Sequence, residues 1–204
     1  MTILFSLLVL FFSIVLHEIA HGSMALQLGD QTAKNAGRLT LNPIKHIDLF
    51  GTILLPLMLL MLSGGAGPIF GWAKPVPINP FNFRDQKWGT LKVSLAGPAM
   101  NFLVALFFGL IIRFLPLPLA LLDLFSIIVL YNFAWGIFNL LPLPPLDGSH
   151  ILFALLPEKL SHAKLFLTQY GFFFLIFFVF WGIKYVFLAA AVLYYFITRQ
   201  PFLI

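Results

Sequence analysis

The sequence has no cysteine, which removes disulfides, thiolate metal sites and a cysteine nucleophile together. Charge is scarce as well. Lysine, arginine, aspartate and glutamate make up 9% of the 204 residues, where a soluble domain carries about a quarter, so the chain cannot cover itself with a polar surface. Glutamate occurs only at Glu18 and Glu158. No basic residue precedes the first apolar run, and no internal repeat or low-complexity tail interrupts the chain. What is present is apolar: 61% of the residues are hydrophobic and 25 are phenylalanine. These features describe one integral membrane domain, residues 1–204, whose backbone satisfies itself as helices. The expected fold is an all-α, polytopic helical bundle with about four to six transmembrane segments.

The first apolar run, Ile3 to Leu28, is long enough at 1.5 Å per residue to cross a hydrocarbon core of about 30 Å. Its length and the polar residues inside it mark a retained span and not a cleaved signal peptide. A polar loop, Gly29 to Asp48, leads to Leu49 to Leu62. That element is apolar, short and interrupted by Pro56, which suits a re-entrant segment better than a crossing. After the glycine-rich Ser63 to Gly67, Pro68 to Pro80 reads as an extended loop or a small membrane-associated β-hairpin. Pro75 and Pro77, two apart, strip donors from one edge. Val76 and Ile78 would leave the other edge free to pair with a substrate strand.

Leu91 to Leu115 and Leu122 to Leu141 are further spans, the first carrying Asn101 and a Pro98 expected near its helix start. Prolines 142, 144 and 145 must end the second and present Asp147 on non-helical backbone. Ser149 to His162 is expected as a short surface helix. Leu165 to Ile197 fits one tilted span or two short ones broken near Gly182. The catalytic core would then be about residues 3–150, followed by the membrane segment at 165–197.

The net charge of +5 sits mostly in loops and reads as topology, with no nucleic-acid partner expected. Lys34, Arg38, Lys45, Lys74, Arg84, Lys87 and Lys92 outnumber Asp30, Asp48 and Asp85 between the first two certain spans. The positive-inside rule makes this region cytoplasmic, provided Leu49 to Leu62 dips in and returns. His17, His21 and Asp147 then come out at comparable depth on one side.

Three titratable residues inside the first span carry the chemistry. His17 and His21 are four apart, stacked on one helix face, so both can point at one metal ion. Glu18 stands beside them, where a carboxylate can take a proton from water at the metal. Such groups are costly in lipid and mark function there.

HEIAHG in a first apolar span, LNPIKHID before a short apolar run, GWAKPVPINP, AGPAMN and NLLPLPPLDG together resemble the site-2 protease family of intramembrane zinc metalloproteases. The resemblance covers about Leu16 to His150. It implies one zinc ion per chain held by His17, His21 and Asp147, with Glu18 as general base. It further implies hydrolysis of a peptide bond within or near the transmembrane segment of single-span membrane proteins, that is, regulated intramembrane proteolysis. It also implies a compact form without an added extramembrane domain, in a prokaryotic cell membrane, with the active site nearer the cytoplasm. Asn139 is a candidate oxyanion donor, and Val76, Ile78 and Asn101 are candidate substrate contacts, Asn101 serving alternatively as interhelical glue. His46 and Asp48 either line an entrance or support the re-entrant turn, and His150 either backs Asp147 or caps a helix. The competing reading of the same ligands is a membrane metal-binding or metal-transport protein without proteolytic activity.

Overall fold

The computed structural model describes residues 2–62 and 72–201. Eight α-helices follow in order: α1 Thr2–Gln27, α2 Thr32–Asn35, α3 Leu55–Leu62, α4 Gln86–Phe114, α5 Leu119–Asn139, α6 Asp147–Leu155, α7 Ser161–Trp181 and α8 Ile183–Thr198. Four of them are long and apolar enough to cross a membrane, over Leu4–Gln27, Trp88–Phe114, Leu119–Asn139 and Ser161–Trp181. The chain is thus an all-α, multi-pass membrane protein.

α4 is the central element and packs against α1, α5, α6 and α8. Its start is set by Asp85, whose carboxylate accepts the Trp88 N–H at 3.1 Å, the usual way an aspartate satisfies a free first-turn donor. The main core lies where α4, α5 and α8 meet, around Ala105, Val129, Phe133, Ala190 and Tyr194. Inside it the Ser126 and Tyr194 hydroxyls bond at 2.7 Å, since a buried hydroxyl needs a partner.

The apolar element after the first loop is helical over 49–62. Leu49–Leu54 form a π-helix that runs into α3, and the Asp48 carboxylate caps its Gly51 N–H at 2.6 Å. The Trp72 N–H donates to the Gly51 carbonyl at 3.1 Å and the Thr52 hydroxyl to the Trp72 carbonyl at 2.7 Å. Residues 51 and 52 are therefore neighbours of residue 72.

Several sequence expectations need correction. Among the described residues there is no β-strand, so the small hairpin is not formed by 72–80; residues 68–71 of that expectation, and Ser63 to Gly67, lie outside the described residues. The physical reason is that the Trp72, Lys74, Val76 and Asn79 donors of the strap are turned to other partners, and Pro75 and Pro77 have none to offer. Lys74 N–H goes to the His46 carbonyl at 2.9 Å, Val76 N–H to Glu18 Oε2 at 2.8 Å and Asn79 N–H to Asp30 Oδ2 at 2.7 Å. Arg38, buried, holds the Lys74 carbonyl at 2.6 Å. These amide groups satisfy side chains and loops instead of a neighbouring strand.

α6 begins at Asp147 and not after it, so this carboxylate sits in a helix's first turn. Pro98 lies deep inside α4; it leaves the Ser94 carbonyl without its helical donor, a loss that costs least beside a polar site. The C-terminal apolar stretch is two helices, α7 and α8, divided at Gly182.

Candidate metal centre

One turn of α1 presents two imidazoles to one point. The His17 and His21 rings stand edge to face, centroids 4.5 Å apart, and their Nε2 atoms are 2.9 Å apart. Asp147 Oδ2 completes a triangle, 3.0 Å from His17 Nε2 and 3.2 Å from His21 Nε2. These are the residues whose ligand atoms cluster as a metal site requires. Both histidines are buried.

The donor set fits a zinc ion. His17 Nδ1 lies 2.7 Å from Asn101 Oδ1, and His21 Nδ1 lies 2.7 Å from the Val93 carbonyl. Oxygen acceptors on both Nδ1 atoms place the hydrogens there and turn both Nε2 lone pairs inward. Asp147 Oδ2 is buried and has no hydrogen-bond partner. Three electron-pair donors facing one another at about 3 Å repel unless a cation lies between them. A tetrahedral site with zinc–nitrogen bonds of about 2.0–2.1 Å has edges of roughly 3.3 Å, close to the separations found.

Room for the ion comes from Gly97 on α4. A Cβ at that position would fall 2.4 Å from His21 Nε2 and 2.6 Å from His17 Nε2, so only glycine lets α4 pass this close. Gly148 does the same at the loop, where a Cβ would meet the Leu140 carbonyl oxygen at 2.2 Å. That contact seats the start of α6 against the end of α5 and holds Asp147 in place.

Glu18, Asp147 and His21 share the wall of a cavity of about 260 Å³ with Ile78, Ser94 and His150. One Glu18 oxygen is held by the Val76 N–H. Of the two strap residues singled out by sequence, Ile78 lines this cavity, while Val76 is buried against Gly22 with its N–H engaged. A substrate strand can use the Val76 N–H only after its bond to Glu18 opens. Asn101 is fully buried behind His17. Asn139, also buried, donates its Nδ2 to the Trp135 carbonyl at 2.9 Å and does not line the cavity. His46 is buried with Nε2 on the Thr40 carbonyl at 2.8 Å, and Asp48 caps the π-helix, so both hold up the apolar segment.

Three contributors were not singled out from sequence: Gly97, Asn132 behind Asn101, and Asp30. Asp30 is buried and receives the Thr32 hydroxyl and N–H, the Asn79 N–H and the Asn82 amide. Burial pushes its carboxyl group up, but the donated hydrogen bonds outweigh that and hold it below the usual carboxylate range.

Comparison with known proteins agrees on one family. The model of peptidase family M50 matches residues 5–119 and 117–178. YwhC of Bacillus subtilis, provisionally named a zinc metalloprotease, is 41% identical over 82% of this chain and 76% of its own. Rip2 of Mycolicibacterium smegmatis, named in the same way, is 32% identical over 78% of this chain and 60% of its own. Zinc metalloprotease MJ0392 of Methanocaldococcus jannaschii is 27% identical over 77% of this chain and 36% of its own. No solved structure matches the chain.

Proposed function

This chain belongs to peptidase family M50 and is a zinc metalloprotease, and from that premise we propose that it cuts single-span membrane proteins within or beside their transmembrane segments. One zinc ion per chain is held by His17, His21 and Asp147, and Glu18 is the general base. The observation that carries this reading is the meeting of those three ligand atoms beside Glu18, on helices otherwise built of apolar residues. When bound, the zinc supplies Lewis-acid chemistry, making a water acidic enough to attack at neutral pH and polarising the scissile carbonyl.

The chain's own residues do the rest. Glu18 takes the proton of the attacking water and returns it to the leaving amine; the Val76 N–H, by fixing one carboxylate oxygen, sets the direction in which the other can accept. Val93 and Asn101 keep the imidazoles facing the site. The apolar helices around the cavity exclude bulk water, which strengthens each charge inside it. The substrate helix must unwind first, because its amides are bonded internally. Ile78, on the cavity wall, is the strap residue we assign to the unwound segment. Asn139 has one Nδ2 hydrogen on the Trp135 carbonyl and would offer an oxyanion the second, and Asn101 supports the site from behind.

The excess of lysine and arginine in the loops around the strap supports a cytoplasmic-side active site in a prokaryotic cell membrane. The partners are the bilayer and single-span proteins, with no role for nucleic acid. A metal transporter would use the same three ligands but needs no base, and the fixing of Glu18 at the cavity wall favours hydrolysis.

The test uses detergent-purified wild type and Glu18→Gln with a panel of single-span proteins, with and without a chelator. Wild type should cut, the chelator should stop it, and Glu18→Gln should retain zinc while losing roughly three orders of magnitude in rate, within the span typical of general bases. Full proteolysis by Glu18→Gln, or metal flux through liposomes unaffected by it, would reject the reading.

A further inference from the structure

Behind His17, on the side away from the cavity, α4 and α5 bring together two asparagines that are both almost wholly buried. An amide buried in apolar surroundings has to find partners for its hydrogens, and carbonyl oxygens can only accept. Asn132 Nδ2 donates to the Ile128 carbonyl at 2.9 Å, which turns its Oδ1 towards α4. Asn101 Nδ2 donates to that oxygen at 3.0 Å and to the Ser13 carbonyl at 3.1 Å. Both amide hydrogens of Asn101 are thereby spent. Only its Oδ1 remains for His17 Nδ1, 2.7 Å away, so Nδ1 must carry the hydrogen and Nε2 must present a lone pair to Asp147 and His21. His21 reaches the same tautomer from a single backbone carbonyl, that of Val93. His17 reaches it through two side chains from two other helices.

We infer that Asn101 and Asn132 are positioning residues that together fix the tautomer and ring orientation of His17, and so set the zinc affinity of the site. The inference rests on His17 being a zinc ligand, as proposed above. A purely structural role, two amides bonding α4 to α5 and α1, would affect stability but not the metal.

Chelator competition on the detergent-purified full chain measures the zinc dissociation constant, with cobalt-substituted absorption spectra and melting of the zinc-free protein alongside. Asn101→Leu should weaken zinc binding roughly 10- to 100-fold, the range seen for outer partners of zinc ligands. Asn132→Leu should weaken it roughly tenfold, the low end, because the Ser13 carbonyl still holds one hydrogen of Asn101. Asn132→Asp, neutral in apolar surroundings and then able to donate and accept as asparagine does, should stay within about threefold of wild type. The leucine variants should also lose intensity in their cobalt bands as tetrahedral order relaxes. If they melt lower yet bind zinc as tightly as wild type, the relay is overturned and the asparagines only join helices. Where Asn101→Leu does not fold, Asn132→Leu decides. His17→Ala separates the two levels: wild-type zinc affinity there overturns the ligand assignment itself, whereas its loss alongside unaffected leucine variants overturns the relay alone.

Discussion

Replacing Gly97 by alanine adds one methyl group at the place where α4 faces the two imidazoles. The new Cβ would stand 2.4 Å from His21 Nε2 and 2.6 Å from His17 Nε2, where ordinary contact begins at 3.4 Å. Relief requires a displacement on the order of 1 Å, by α4 backing away or by the rings turning, whereas zinc–ligand distances hold to about ±0.2 Å. Overpacking of this kind costs about 1–3 kcal/mol. If the metal-free protein relaxes and the zinc form cannot, that is a loss of roughly 5- to 150-fold in zinc affinity, at 1.4 kcal/mol per factor of ten. Zinc per chain, measured after dialysis against graded chelator, reads the effect directly, and melting of the zinc-free protein shows whether the bundle survives. Gly97→Ala that folds and keeps zinc with wild-type affinity would refute the placement of the ion between α1 and α4.

Val76→Pro removes the N–H that holds Glu18; a hydrogen bond to a charged group contributes about 1.5–3 kcal/mol, so turnover should fall roughly 10- to 100-fold while zinc content stays at wild type, and equal turnover would dissociate the strap from the base. Asp30 carries a lowered pKa in the folded state, so its stabilisation is present above the ordinary value of 3.8 and disappears as pH falls through the lower folded value. Wild type should therefore melt higher than Asp30→Asn at pH 6, with the difference closing below pH 3.8; a constant difference across that range would show that the hydrogen bonds do not depend on its charge. Gly148→Ala should lower zinc affinity as well, because its Cβ would strike the Leu140 carbonyl and unseat Asp147; unchanged affinity would mean that the loop shifts without moving the carboxylate.

The spans and the paired histidines could be read from the chain because each depends on neighbours within a few residues: an apolar run of the right length, and two imidazoles one helical turn apart. Asp147 as the third ligand came with the resemblance carried by NLLPLPPLDG; the prolines before it marked the end of α5, but not that Asp147 opens α6. Apolarity marks the span from Leu91, whereas α4 itself starts at Gln86 because its polar first turn is set by the Asp85 cap. The extended course of the strap was legible from its prolines, but what holds it was not, because its backbone is fixed by side chains far away along the chain, with Asp30 binding Asn79 and Glu18 binding Val76. Gly97 belongs to AGPAMN, and small residues of this kind let helix backbones come close. Which helix approaches, and with which residues, depends on the rotation of α4 against α1, and periodicity does not encode that. Asn132 is one more polar residue in an apolar span until its amide is seen to face Asn101.

α7 spans the membrane yet adds little to the core. Gly171 meets Pro144, Lys164 donates to the Phe153 carbonyl at 2.7 Å, and most of its phenylalanines are exposed. Swinging such a helix aside would sacrifice a small fraction of the buried surface. The proline turn leading to Asp147 thus leans, through Pro144, on the most loosely held of the long helices.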